Sequence, residues 1–105
     1  MTKYAWVLQV QPGLEQEYER RHAEIWPELL DEIRKAGQRN YTIFRYGLTL
    51  IGTFDCDDIE RVYSVMRDSK VFAKWGEYNA GVVKGDVNPD TGYPYLLPKV
   101  WEFAG

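Results

Sequence analysis

"NYTIFRYGLTLIGTFD", residues 40–55, holds two runs rich in β-branched and aromatic residues. Little more than Gly47 separates residues 40–46 from residues 48–55, the pattern of a tight antiparallel hairpin. The flanking segments decide what such a central hairpin can join. On its N-terminal side, "KYAWVLQV" (residues 3–10) reads as a strand and "QPG" (11–13) as a turn. From residue 14 to about residue 36, Leu14, Tyr18, Ile25, Leu29 and Ile33 recur at helical spacing. Glu and Gln crowd the first turn of that segment, Arg34 and Lys35 the last, and Gly37 suits a C-terminal cap. On the other side, residues 57–68 carry Ile59, Val62, Val65 and Met66 along one helical face behind the acids Asp57 and Asp58. Residues 69–85 begin another helical piece, capped by Ser69 and weakened by Gly76. "VNPDTGYP" (87–94) reads as a loop and "YLLPKVWEF" (95–103) as a last strand, with Pro98 marking an edge or a bulge. The order is strand, helix, strand, strand, helix, strand. That is an α+β, ferredoxin-like βαββαβ arrangement, an antiparallel sheet with its helices on one face.

One such domain accounts for all 105 residues. The other face of its sheet needs a cover. In the first strand Tyr4, Trp6, Leu8 and Val10 point one way, Ala5, Val7 and Gln9 the other, and both sets are largely apolar. The second face is therefore expected to pack on a partner chain, to line a ligand cavity, or both, and Trp101 and Phe103 add to its apolar surface.

Composition narrows the function classes. Thirteen basic and sixteen acidic residues leave a net charge of -3, with no basic stripe, which argues against nucleic acid. No apolar run approaches a membrane span, and no secretory leader pattern opens the chain, so a cytoplasmic protein is expected. A single cysteine, Cys56, excludes an internal disulfide framework, and one Cys with one His argues against a nitrogen–sulfur metal site. Four Trp, eight Tyr and four Phe are more ring surface than a small core needs, which points to an aromatic pocket or interface.

The one histidine, His22, lies a turn after Tyr18 and a turn before Trp26, in "YERRHAEIWPELLDEI" (18–33). On a continuous helix the three form one column at the margin of the buried stripe. Pro27 interrupts the column, because it lacks an N–H and crowds the preceding turn. The chain must kink or restart there, and "PELLDE" has the acids of a new first turn. On spacing alone, a half-buried boundary histidine fits these residues at least as well as a catalytic one. The functional alternative is specific: an imidazole changes charge near neutral pH, and tyrosine hydroxyls and a Trp26 face suit a hydroxyl-rich ring.

The same residues carry a family resemblance. "AWVLQVQPG", "EYERRHAEIWPEL", "NYTIF", "KWGEY", "NPD" and the terminal "VWEF" together resemble the L-rhamnose mutarotase family over residues 4–103. The resemblance implies a homodimeric ferredoxin-like α/β-barrel that needs no cofactor. It implies interconversion of the α and β anomers of a monosaccharide such as L-rhamnose or L-fucose. It makes His22 the proton donor and Tyr18 and Tyr41 sugar-binding residues. A Trp-Trp pair completes the family site; here only its first member is present, as Trp75, and Gly76 stands at the second position. Two alternatives use the same features. One is a small ferredoxin-like-barrel monooxygenase, in which His22 could meet haem. The other is a sugar-binding module without catalysis.

Overall fold

The computed structural model describes residues 1–105. Strand β1 (Thr2–Val10) leads into α1 (Glu15–Ala23) and α2 (Pro27–Ala36). The hairpin β2 (Arg39–Tyr46) and β3 (Thr49–Cys56) follows, then α3 (Ile59–Asp68), α4 (Lys70–Tyr78) and the short β4 (Val83–Lys84). The four strands pair antiparallel in the order β2-β3-β1-β4. This is the expected βαββαβ arrangement, with each helical segment broken into two helices.

Each break has a local cause. Trp26 is extended (φ -67°, ψ 132°) and caps α2, and Pro27 occupies its first turn, where a missing N–H costs nothing. The proline thus restarts the helix rather than kinking it. At the far end Gly37 adopts a left-handed φ of 82°. Its N–H donates to the Arg34 carbonyl while that of Gln38 donates to Ile33, a Schellman closure that turns Gln38 inward. Asp58 caps α3 by accepting from the Glu60 and Arg61 N–H groups, and the Ser69 hydroxyl accepts from Phe72 at the start of α4.

The hairpin register puts two rows of side chains on opposite faces. Trp6 lies opposite Gly52, which lies opposite Ile43, on the helix-covered face. Leu50, Phe54 and Cys56 continue that face and are fully buried with Val10 and Val62. Gly52 is dictated by packing: a Cβ there would fall 2.1 Å from Cε2 of the Trp6 indole, which lies across the strand. On the other face Val7, Ile51 and Phe44 stand in one register row and Gln9, Thr49 and Tyr46 in the next. Phe44 and Tyr46 are exposed there.

The last strand is a correction. Only Leu96 bridges to Trp6 and Leu97 N–H to the Ala5 carbonyl; residues 98–105 have no regular structure. Pro94 and Pro98 bracket the segment and supply no N–H, so a ladder cannot continue through them. Val83–Lys84 takes the fourth sheet position instead. The expected loop contains a small hairpin, β5 (Val87–Asn88) with β6 (Tyr93–Pro94). Its turn is held by Asn88, whose side chain accepts from the Asp90 N–H. No helix is long and apolar enough to cross a membrane.

Candidate active site

A cleft opens between the helical layer and the inner face of the sheet. It has two lobes, of about 470 Å³ and about 320 Å³, which share Tyr18, His22, Tyr41, Ile43, Phe72, Trp75 and Tyr93. Four of the expected residues therefore meet around one space: Tyr18, His22, Tyr41 and Trp75. Gly76 lines the smaller lobe only.

His22 sits in the last turn of α1, half-buried between two rings. The Tyr18 ring lies 4.4 Å from it and the Trp75 ring meets it edge-on at 5.3 Å. His22 Nδ1 lies 3.2 Å from the Tyr18 backbone carbonyl, an acceptor, so Nδ1 carries the proton and Nε2 is left with a lone pair. Burial pushes the imidazole pKa below its ordinary 6.5, against a smaller upward pull from that carbonyl. At neutral pH the ring is neutral, with a basic Nε2.

Trp26 does not complete the column. The helix break turns it away from His22, and it packs 5.0 Å edge-on behind Trp75 and 5.5 Å from Tyr78. It does not line either lobe. A clamp fixes this wall. Glu17 accepts from Arg20 and from Arg21, and Arg21 stacks 4.1 Å over the Tyr78 ring while donating to the Tyr78 carbonyl. Two arginines beside it hold the Glu17 carboxyl down at about 2.

On the sheet side, Trp6 Nε1 donates to the Tyr41 hydroxyl at 2.8 Å and Gln38 Nε2 donates to the Tyr93 hydroxyl at 2.9 Å. The two hydroxyls are 3.4 Å apart. One phenolic proton bridges this pair; the other has no protein acceptor and is free for a ligand. Burial raises the pKa of Tyr18, Tyr41 and Tyr93, so all three remain protonated donors at neutral pH. Glu19, the one carboxylate in the cleft wall, lies at its exposed rim with Arg45 at 3.5 Å.

Sequence reasoning assigned no role to Trp6 or Gln38. Trp6 read only as one of the residues on one face of the first strand, and Tyr93 lay within a segment read as loop. The cap at Gly37 was the available signal for Gln38, because a Schellman closure directs the next residue back toward the helix.

The model of the family described as L-rhamnose mutarotase matches residues 3–103. An L-rhamnose mutarotase of Rhizobium johnstonii is 37% identical over 92 residues, covering 86% of this chain and 84% of the relative. One from Oceanobacillus iheyensis is 36% identical over 86 residues, covering 80% and 82%. Among solved structures, an L-rhamnose mutarotase from Formosa agariphila superposes with a TM-score of 0.78 at 23% identity, covering 98% of this chain and 99% of that one. The tetracenomycin F2 cyclase of Streptomyces glaucescens, at 16% identity and a TM-score of 0.73, shares the fold. Matched by the family model over residues 3–103 and by relatives at 36–37% identity, the chain belongs to the L-rhamnose mutarotase family.

Proposed function

We propose that this isomerase interconverts the anomers of a pyranose such as L-rhamnose, with His22 carrying the proton. The observation that supports this most is the tautomer: Nδ1–H is tied to the Tyr18 carbonyl, and every phenol in the cleft is protonated. Nε2 is then the one base inside the cleft, since the Glu19 carboxylate lies at its exposed rim. It takes the proton of the anomeric hydroxyl. The ring C–O bond breaks, giving an aldehyde and a ring-oxygen alkoxide, and the imidazolium returns the same proton to that oxygen. The aldehyde rotates and the steps run backwards to the other anomer. The donor role implied by the family resemblance is the second half of this shuttle. Tyr41 and Tyr93 orient hydroxyls, and Trp75 offers its ring beside His22. The protonation states balance with one histidine, so no cofactor is needed.

The pH dependence follows from the sign of the His22 shift. A neutral imidazole must start the cycle, and burial lowers its pKa. Enzyme-dependent anomer exchange of L-rhamnose, read by saturation-transfer NMR, is expected to be level above neutral pH. It should fall as pH drops through a value below 6.5. A rate that instead rises toward acid would show that the imidazolium starts the reaction and would overturn the base-first order.

The active unit we infer is a homodimer formed through the sheet's outer face, in the cytoplasm, where a lone cysteine stays reduced. Phe44 and Tyr46 on that face are 60% and 84% exposed, and Trp101 and Phe103 beyond the sheet are each 77% exposed. Sedimentation at micromolar concentration should give twice the 12.3 kDa chain mass, and Phe44→Glu should shift it toward monomer. A monomeric wild-type chain would refute the assembly.

A further inference from the structure

In any pyranose the ring carbon that carries the exocyclic substituent is bonded to the ring oxygen. If His22 serves that oxygen, the substituent must leave the ring beside His22, into one of the two lobes. The larger lobe is lined mostly by apolar side chains, Ile25, Leu29 and Ile33 among them; the polar groups it does not share are Gln38, which donates to the Tyr93 hydroxyl and whose Oε1 has no partner, and the Glu19–Arg45 pair at the rim. The smaller lobe differs. Gly76 lines it, and a Cβ built there meets no atom within 4 Å, so the missing side chain leaves open space next to Trp75. Asn79 lies in its wall, 6% exposed; its Nδ2 donates to the Trp75 carbonyl and its Oδ1 has no partner. A buried amide oxygen without a donor is costly unless a ligand supplies one. Lys84, exposed, lines the same lobe.

We infer that the smaller lobe receives this substituent, and that sugars bearing a hydroxymethyl group there are substrates beside those bearing a methyl group. The inference rests on the anomer-exchange reading above. It makes Gly76 and Asn79 residues that set specificity.

Two matched pairs of sugars test it. L-mannose is L-rhamnose with a hydroxymethyl in place of the methyl group, and L-galactose stands in the same relation to L-fucose. Anomer exchange of all four is measured by NMR with wild type and with Gly76→Trp, whose folding is checked by circular dichroism. Wild type is expected to accelerate L-mannose at least as strongly as L-rhamnose, or L-galactose at least as strongly as L-fucose. Gly76→Trp is expected to lower that hydroxymethyl-to-methyl ratio about tenfold or more, as crowding by a bulky group does in a shaped pocket. Wild-type exchange confined to the methyl sugars would overturn this inference and leave the mutarotase reading standing, as would an unchanged ratio in the variant. No acceleration of any of the four would overturn both.

Discussion

Replacing His22 with alanine is expected to remove enzyme-dependent anomer exchange almost completely. Sugars already mutarotate in water, so the enzyme has a modest barrier to lower, and acid–base help of about 10²–10⁴-fold is the scale of the loss. No other group can substitute. Tyr18, Tyr41 and Tyr93 are held protonated by burial, and Glu19 lies at the exposed rim with Arg45. The fold should survive, because His22 is half-buried at a helix end and its ring bonds only to the Tyr18 carbonyl one turn back. Saturation-transfer NMR gives the rate. Quenching of tryptophan fluorescence by L-rhamnose, through Trp75, reports whether the sugar still binds. An alanine variant that keeps most of the wild-type exchange would remove His22 from the mechanism, and one that neither binds nor folds would make its role structural.

Gly52→Ala is expected to be the most damaging small substitution in the sheet. The new methyl would fall 2.1 Å from Cε2, 2.2 Å from Cζ2 and 2.6 Å from Nε1 of Trp6. That indole is 4% exposed and cannot swing into solvent without opening the core. Overpacking of this kind costs about 1–3 kcal/mol. Any shift of Nε1 also weakens its 2.8 Å bond to Tyr41, so the damage reaches the cleft. Each kcal/mol lowers the melting temperature of a domain this size by about 4–8 °C. Gly76→Ala is the contrast. It sits in a helix with no neighbour for its methyl group, and should gain about 0.5–1 kcal/mol. Thermal melts of the two variants check the pair. Equal stability would mean that the Trp6 ring relaxes freely and that the contact across the strand is not a constraint.

The two glycines also mark the line between what was legible in the sequence and what was not. The hairpin at 40–55, the helical periodicities and the caps Gly37, Asp58 and Ser69 are local signals, and the sheet order follows from them with little freedom. The restart at Pro27 was legible for the same reason, since a missing N–H acts within one turn. The last strand was misread because its apolar and aromatic residues suit a strand but its two prolines deny it a ladder within the chain. Nothing local says that Gly52 exists to make room for an indole on the next strand.

The site divides in the same way. Spacing put His22 one turn from Tyr18, and the structure keeps the two rings together, 4.4 Å apart and tilted. Spacing put Trp26 in that column too, but the break at Pro27 rotates it behind Trp75. Trp6, Gln38 and Tyr93 come from three distant segments and meet only when the sheet and the small hairpin close over the cleft. The sequence by itself determined the βαββαβ frame, the one imidazole and its aromatic neighbour, because periodicity, caps and turns act over a few residues. Only the tertiary structure decided how far His22 is buried, which phenols surround it and where the open space beside Gly76 lies. Burial and cavity shape depend on groups brought together across the whole chain, and no short window of sequence contains them.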